Sequence, residues 1–307
     1  MFCTNCGKQL PDNVAFCSGC GKPVSVVKPV ADPSPRFTAT DKDGTVHTIT
    51  LFELQEGVTE AFGLSAEFYN KEITGQTDDL DEVFEKMKPV FEKLQPFTVA
   101  WPDKDYLQAF GTMAHLMAKY RCEYSYDPED GEKYADAGYE VLKRFKQAYE
   151  NELDEKAKLR THIAVSLAGE YCAYIAYLQN YLDYAVNVLK ELPTTPITLA
   201  LTGSCLCLIA NSRNDYNLVR VSMGIFDEMD KQITQAPKAK MDQDIYRIAY
   251  GWYGLMLAKN PDTYPEGGFE RDLPKAIYAV KRGIMLMTDR EFIDMLQPDL
   301  DEYTAMF

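Results

Sequence analysis

Apolar residues between Thr161 and Leu192 recur at steps of three and four residues, with a polar break at Gln179-Asn180. Residues at these steps share one face of an α-helix. Before the break there is a second, smaller apolar side, as expected of a helix packed between others. The stretch predicts an antiparallel helical hairpin that ends before Pro193. Its large residues are Ile163, Leu167, Tyr171, Tyr174, Ile175 and Leu178, then Leu182, Ala185, Val186, Leu189 and Leu192, and its small ones are Ala164, Ala168, Cys172 and Ala176.

The same pattern recurs along most of the chain after Asp103 and predicts further helical hairpins, one before Thr161 and two after Leu192. A last segment, Asp289 to Tyr303, is expected to cap the array. The paired stripes are Tyr106, Phe110, Met113, Met117 and Tyr120 with Tyr134, Ala137, Val141, Phe145 and Ala148; residues 199–210 with Leu218, Val221, Ile225, Met229 and Ile233; and Ile245, Ala249, Trp252 and Met256 with Leu273, Ile277, Val280, Ile284 and Met287.

Before Asp103 the pattern predicts a β-hairpin and a first helical pair. Residues 37–50 alternate β-favouring side chains around Asp43-Gly44, a favourable hairpin turn. Helical patterning begins near Leu54, and Pro89 is expected to kink or end the second helix because it lacks an amide proton. The first helical stripe is Val58, Phe62, Ser65 and Tyr69, and the second is Leu80, Val83, Phe84, Met87, Phe91 and Leu94.

Two spacings indicate that the hairpins are repeats. Gly169 and Gly203 take similar places in successive first helices, 34 residues apart, and Asp183 and Asp215 open the following helices, 32 residues apart. These spacings are close to the tetratricopeptide period. Each hairpin alone would expose an apolar side, so stacking of neighbours is expected to bury it.

Three segments of the last hairpin resemble the longer-looped Sel-one-like version of this repeat. They are Gly251-Trp-Tyr-Gly254, residues 266–272, and Lys275-Ala276-Ile277-Tyr278. Residues 103–288 are thus similar to a tetratricopeptide-like solenoid with degenerate repeats. The resemblance implies a concave face that binds a protein or a peptide.

Two copies of the motif C-x-x-C-G-K open the chain, at Cys3 and Cys6 and at Cys17 and Cys20. Paired cysteines at this spacing can face one ion, and four thiolates make a tetrahedral zinc site with no open position for a catalytic water. Bound zinc would supply the folding energy that so short a segment cannot obtain from a core. The alternative, a redox-active dithiol, needs a βαβ setting that the pattern does not indicate. We predict one structural Zn²⁺ held by these four cysteines.

Residues 1–24 resemble the short zinc ribbon found at the N-termini of many bacterial proteins, through the doubled motif, Leu10-Pro11 and Phe16. Such ribbons are attached to very different proteins, so this resemblance implies zinc and no particular activity. We divide the chain into a ribbon (1–24), a flexible proline-rich linker (25–36), a β-hairpin with the first helical pair (37–102) and a helical-repeat domain (103–307). The predicted fold class is mainly α, a tetratricopeptide-like helical-hairpin solenoid with a small ribbon and a short β-hairpin.

The composition, 46% hydrophobic and 26% charged, is that of a soluble globular protein. A formal charge of −15 makes nucleic acid an unfavourable partner for the acidic body. The start of the chain lacks the pattern of a signal peptide, and the longest apolar run, roughly residues 197–210, is shorter than the about 20 residues that span a bilayer. We expect a cytoplasmic protein with reduced cysteines and no membrane span.

The sequence contains no signature that indicates an enzyme. A nucleophilic triad needs a nucleophile, a base and an orienting carboxylate, and the three histidines, His47, His115 and His162, lie outside any such motif. The cysteines Cys122, Cys172, Cys205 and Cys207 lie in apolar helical segments and are expected to be small buried residues. Of Tyr171, Tyr174, Tyr177, Tyr181 and Tyr184, most are expected in the core, with one or two hydroxyls offered to a bound peptide.

These features favour a non-enzymatic protein- or peptide-binding adaptor or scaffold with a structural zinc ribbon. The alternative is a nucleic-acid-associated regulatory factor that contacts DNA or RNA through the ribbon. Residues 1–36 carry four basic and two acidic side chains, so this part could contact an anionic surface that the body would repel.

Overall fold

The computed structural model of the chain describes residues 35–41, 43–101, 103–233 and 239–307. The predicted zinc ligands Cys3, Cys6, Cys17 and Cys20 lie outside the described residues, as does the predicted linker up to residue 34. Their assignment stays a prediction here.

The predicted β-hairpin is confirmed. Strands β1 (Arg36–Thr40) and β2 (Val46–Thr50) pair antiparallel, so the first strand begins within the predicted linker. Asp41 holds the turn, because its Oδ1 accepts hydrogen bonds from the amides of Asp43 and Thr45 at 3.0 and 2.8 Å. Gly44 takes a φ of +82°, which favours glycine at this position of the turn.

Eleven α-helices follow within the described residues. They are α1 (Leu51–Ile73), α2 (Leu80–Leu94), α3 (Lys104–Glu123), α4 (Pro128–Tyr149), α5 (Glu155–Leu178), α6 (Leu182–Leu189), α7 (Pro196–Arg213), α8 (Tyr216–Gln232), α9 (Lys240–Thr263), α10 (Leu273–Leu286) and α11 (Arg290–Met306). Short 3₁₀ turns lie at Thr77–Asp79, Gln95–Phe97, Glu150–Glu152 and Pro265–Gly267.

The helices pack as hairpins in chain order: α1 with α2, α3 with α4, α5 with α6, α7 with α8 and α9 with α10. The first helices of the hairpins also pack on one another in sequence, α1 on α3, α3 on α5, α5 on α7 and α7 on α9. Helix α11 covers α9 and α10, as expected of a cap. The mainly α fold built from helical hairpins is therefore confirmed.

Each hairpin has a glycine in its first helix that faces its second helix or the residues just beyond it. A Cβ atom added at Gly203 would lie 2.5 Å from Phe226, and one at Gly254 would lie 2.6 Å from Val280. The absence of a side chain lets the two helices approach closely. The other pairs are Gly57 with Leu94, Gly111 with Leu142, and Gly169 with Leu192. Successive glycines are 54, 58, 34 and 51 residues apart, so the hairpins vary in length and the repeat type stays a prediction.

Aspartates begin six of these helices and account for part of the acidic composition. In each case the aspartate side chain accepts a hydrogen bond from an amide in the first turn, which otherwise has no partner within the helix. Such a cap contributes about 1 kcal/mol. The capping residues are Asp103, Asp127, Asp154, Asp215, Asp272 and Asp289.

Four predicted stripes are wrong in part. The exposed positions are Phe62 and Tyr69 on α1, Ala148 on α4, Ile163, Leu167 and Leu178 on α5, and Val221 on α8. In α1 the predicted Ser65 is buried, and the rest of the buried side is Leu54, Gly57, Ala61, Leu64 and Phe68. The small residues Gly57 and Ala61 lie on this side, so a stripe drawn through Val58 and Phe62 misses it.

Pro89 was predicted to kink or end the second helix, and the ending is wrong, since α2 continues through Pro89 to Leu94. Beyond Pro89 the helix buries Val90, Phe91 and Leu94. Proline within a helix costs about 3 kcal/mol, and each large apolar side chain contributes about 1.5–3 kcal/mol when it is buried. The three buried side chains outweigh the lost backbone hydrogen bond.

Candidate functional site

The first helix of each hairpin lies on one side of the array, and this side is curved. These first helices are α1, α3, α5, α7 and α9. Helix α3 contacts α9 although α5 and α7 lie between them in the packing order. On α5, Tyr174 donates a hydrogen bond to Asp244 of α9 at 2.6 Å, and Tyr177 accepts one from Trp252 of α9 at 3.1 Å. The C-terminal half of α5 is thus covered by neighbouring helices, α3 and α9 among them. We call the side of the first helices the inner side.

The N-terminal half of α5 is not covered in this way. Helix α5 has 24 residues whereas its hairpin partner α6 has eight. Leu159, Ile163 and Leu167 follow one another at four-residue steps on this half and are 62%, 50% and 40% exposed. They form a ridge that points away from the buried core, and we call these three residues the α5 ridge.

A cleft of about 430 Å³ lies beside the α5 ridge. Its walls come from α1, α3 and α5, and the end of α4 contributes to its lining. Because most of these side chains are apolar, the cleft is suited to an apolar ligand surface. The lining residues are Tyr69, Gln108, Thr112, His115, Leu142, Phe145, Leu153, Ala157, Arg160, Thr161, Ile163, Ala164 and Leu167.

His115 is the buried polar residue of this lining. Its side chain is 5% exposed, and its Nδ1 has no hydrogen-bond partner among the described residues. Burial lowers the pKa of His115 to about 4, and the nearby Lys119 acts in the same direction, so the ring is neutral at pH 7. Tyr171 packs edge-on against the ring at 5.3 Å between centroids. The Nδ1 atom is shielded from solvent, so His115 contributes a neutral and largely buried ring to the lining.

Arg160 is the cationic residue of the lining. It has no ion-pair partner among the residues that the structure describes, and Lys156, one turn earlier on α5, has none there either. Among the described residues, no carboxylate lines the cleft. This is unusual for a chain of net charge −15.

Buried carboxylates lie further along the inner side. Glu170 is 6% exposed, and burial raises its pKa to about 7, with Asp242 as the second cause. Burial also raises the pKa of Glu123 and of Asp242, and Lys119 opposes both shifts. No group of three or more His, Cys, Asp or Glu residues suited to a metal ion occurs in the described part of the chain.

Tyrosine hydroxyls donate hydrogen bonds to carboxylates of other helices throughout the body. The expectation that most of Tyr171, Tyr174, Tyr177, Tyr181 and Tyr184 pack in the core holds for the first two, whereas Tyr181 and Tyr184 are exposed. Their bonds to carboxylates were not predicted, because the partners are distant in sequence. The pairs are Tyr120–Asp81, Tyr124–Glu72, Tyr139–Glu191, Tyr171–Glu123, Tyr174–Asp244, Tyr184–Asp136, Tyr250–Asp230, Tyr253–Asp227 and Tyr278–Asp230.

The other candidate residues lie apart from the cleft. Cys172, Cys205 and Cys207 are buried as predicted, Cys122 is partly buried, and burial raises the pKa of all four thiols, which lowers their reactivity at pH 7. His47 bonds to Asp41, and His162 lies 2.5 Å from Glu150.

The described helices include none with both the length and the apolar character needed to cross a membrane.

Comparisons with known proteins give a family match for the N-terminal segment and weak structural likenesses over most of the chain. Residues 2–24 match the profile of a zinc-ribbon domain. No curated protein matches the chain. Similar solved structures include the nuclear import adaptor Nro1 of S. pombe, at 11% identity over 81% of this chain and 93% of that one, with a TM-score of 0.37. Another is the DHF119 filament, at 16% identity over 82% and 97% of the two chains, with a TM-score of 0.26. At these TM-scores the likeness carries no argument about function.

Proposed function

We propose that this chain is a non-enzymatic adaptor that binds a protein or peptide segment in the cleft between α1, α3 and α5. The observation that carries the proposal is the uncovered half of α5, whose apolar ridge borders the cleft. Exposed apolar residues grouped on one surface are typical of an interaction site. The helical-hairpin body is similar to a tetratricopeptide-like solenoid, in which such inner surfaces bind peptides.

The chemistry of the cleft supports binding over catalysis. At pH 7 the imidazole of His115 is a weak base because its pKa is near 4. The described cysteines have raised pKa values and do not line the cleft. The cleft therefore offers apolar contact and hydrogen bonds, with no activated nucleophile beside them.

The N-terminal segment is proposed to be a structural unit of the same adaptor. The zinc-ribbon match at residues 2–24 supports metal binding, and Cys3, Cys6, Cys17 and Cys20 are the proposed ligands of one Zn²⁺. The ribbon could contact a protein or, in the alternative function, DNA or RNA. Binding of the full chain to each is measured at increasing salt concentration. Binding to phosphates weakens steeply with salt, so a steep loss of binding indicates nucleic acid.

Selection from a random phage-displayed peptide library with the full chain tests the adaptor function. The same selection is run with the Ile163→Asp variant, which places a charge on the α5 ridge, and with Val221→Asp, which changes a residue of similar exposure on α8. Peptides enriched by the wild type and Val221→Asp but not by Ile163→Asp support the proposal. Equal enrichment by all three proteins, or none by the wild type, contradicts it.

A further inference from the structure

We infer that the segment bound in this cleft is an amphipathic helix whose apolar face is flanked by carboxylates, a partner class that rests on the proposed function. The shape of the α5 ridge and the charge of the cleft favour this partner.

The α5 ridge has the form of one side of a helix packing surface. Leu159, Ile163 and Leu167 span two turns, about 12 Å along the axis. Rows of residues at four-residue steps pack into the grooves of a neighbouring helix. Tyr69 of α1 faces the cleft from the opposite wall, and Phe62, two turns earlier, is also exposed. A helix with apolar residues at three- and four-residue steps would contact both walls, which is a known mode of peptide recognition.

The charge around the cleft favours a partner of negative charge. Arg160 and Lys156 lie one turn apart on α5 without ion-pair partners among the described residues, and no described carboxylate lines the cleft. Most of the other described cations of the body are paired with acidic side chains, as Lys158 is with Glu155 and Lys143 with Glu191. Complementary charge raises the association rate and suppresses partners of the wrong sign. A negatively charged helix satisfies both cations, whereas a basic helix would place like charges together.

His115 is a polar residue of the cleft lining, beside Thr112, Leu142 and Ala164. Its imidazole is neutral at pH 7 because burial lowers its pKa to about 4. Arg160 is therefore the charged residue of the lining that a partner meets.

Defined peptides test the inference with the full chain. The first probe is a fluorescent, acetylated and amidated helix of about 18 residues, with leucines at alternating three- and four-residue steps and glutamates beside them. The second probe has lysine in place of every glutamate. Dodecanoate, a small apolar carboxylate, competes as a third probe. Fluorescence anisotropy gives the Kd of each peptide at low and at physiological salt.

We expect the glutamate peptide to bind at least about tenfold more tightly than the lysine peptide, with a smaller difference at higher salt. Arg160→Glu should remove or reverse this preference, whereas Lys281→Glu, an exposed change on α10, should keep it. Ile163→Asp should abolish binding of both peptides and Val221→Asp should not. Thermal unfolding of each variant checks that the fold is kept.

The outcomes separate the inference from the proposed function. Equal or tighter binding of the lysine peptide, sensitive to Ile163→Asp, would overturn the acidic partner while leaving peptide binding in this cleft intact. Binding of dodecanoate without either peptide would overturn both and assign the cleft to a small apolar acid. Self-association of the chain that Ile163→Asp abolishes, with no peptide bound, would assign the α5 ridge to a second copy and also overturn the inference.

Discussion

Tyr174 on α5 donates a hydrogen bond to Oδ2 of Asp244 on α9 at 2.6 Å, and the two residues are 70 positions apart in the chain. Both are buried, and Arg247 donates to Oδ1 of the same carboxylate at 2.7 Å. A buried carboxylate needs such donors because desolvation of an unpaired charge is costly. The contact therefore fixes the covered half of α5 against α9 and leaves the N-terminal half free to form the cleft.

Replacement of Tyr174 by phenylalanine should lower the free energy of unfolding by about 1–2 kcal/mol, because Asp244 would lose one of its donors. Urea denaturation measures the change. The matched control is Tyr278→Phe, since Tyr278 is exposed and its hydrogen bond to Asp230 is longer, at 3.3 Å. The control should change stability by less than about 0.5 kcal/mol. Equal effects of the two changes would contradict a special role for the buried pair.

Glu170 should make the protein less stable as the pH rises from 4.5 to about 7. Its pKa is about 7 in the folded chain and 4.5 ordinarily, because burial disfavours the carboxylate. The folded state then binds more protons than the unfolded state in this range, so the stability present below pH 4.5 is lost as the pH rises through 7. Each pKa unit corresponds to about 1.4 kcal/mol, which makes the full effect on the order of 3 kcal/mol.

The Glu170→Gln variant tests this pH dependence, since the amide resembles the protonated carboxyl group. Its free energy of unfolding should match the wild type near pH 4.5 and exceed it by up to about 3 kcal/mol at pH 8. Glu155→Gln changes an exposed glutamate at the start of the same helix and should not alter the pH profile. A stability difference between Glu170→Gln and the wild type that stays constant from pH 4.5 to 8 would contradict the raised pKa of Glu170.

Gly203→Ala should destabilise the protein by about 1–3 kcal/mol, the usual cost of overpacking a core. The added Cβ would lie 2.5 Å from the ring of Phe226, so α7 and α8 would have to separate. Gly224 on α8 provides the matched control, because a Cβ there meets nothing within 4 Å. Gly224→Ala should raise stability by about 0.5–1 kcal/mol, since alanine is the better helix former. Thermal or urea unfolding of both variants gives the comparison.

The helices could be predicted because their apolar periods are long and regular. The stripe of Tyr106, Phe110, Met113, Met117 and Tyr120 is buried throughout α3, as expected. Which side of α1 or α8 is buried could not be predicted in the same way. The buried side of each helix contains the position where a glycine packs against a leucine or phenylalanine, as Gly57 does against Leu94 and Gly203 against Phe226. Such pairs depend on tertiary packing and not on the local pattern.

The cleft was beyond sequence reasoning for a related reason. Ile163 and Leu167 continue the apolar stripe of Tyr171 and Tyr174, and periodicity alone assigns all four to the core. In the structure Tyr171 packs on α3 and Tyr174 bonds to α9, whereas Ile163 and Leu167 are exposed. One signal in the sequence was available, because the helix after Asn180 is much shorter than α5 and cannot cover all of it.

Zinc removal should leave the helical body folded. The described core residues between 39 and 303 form one hydrophobic cluster, and we expect this cluster to keep the body folded without the metal. Native mass spectrometry of the full chain should show one zinc per chain. Cys17→Ser should lose that zinc, because structural zinc sites use four ligands, while the thermal unfolding of the helical body should stay within about 0.5 kcal/mol of the wild type.

Cys172→Ser is the control for this change, since it alters a thiol of the body that lies 3.1 Å from Oδ1 of Asp136, and a serine hydroxyl can also donate there. This variant should keep one zinc per chain. Loss of zinc from Cys172→Ser, or its retention in Cys17→Ser, would contradict the proposed ligands. A large drop in the unfolding temperature of the body on chelation would show instead that the ribbon packs on the helices and contributes to their stability.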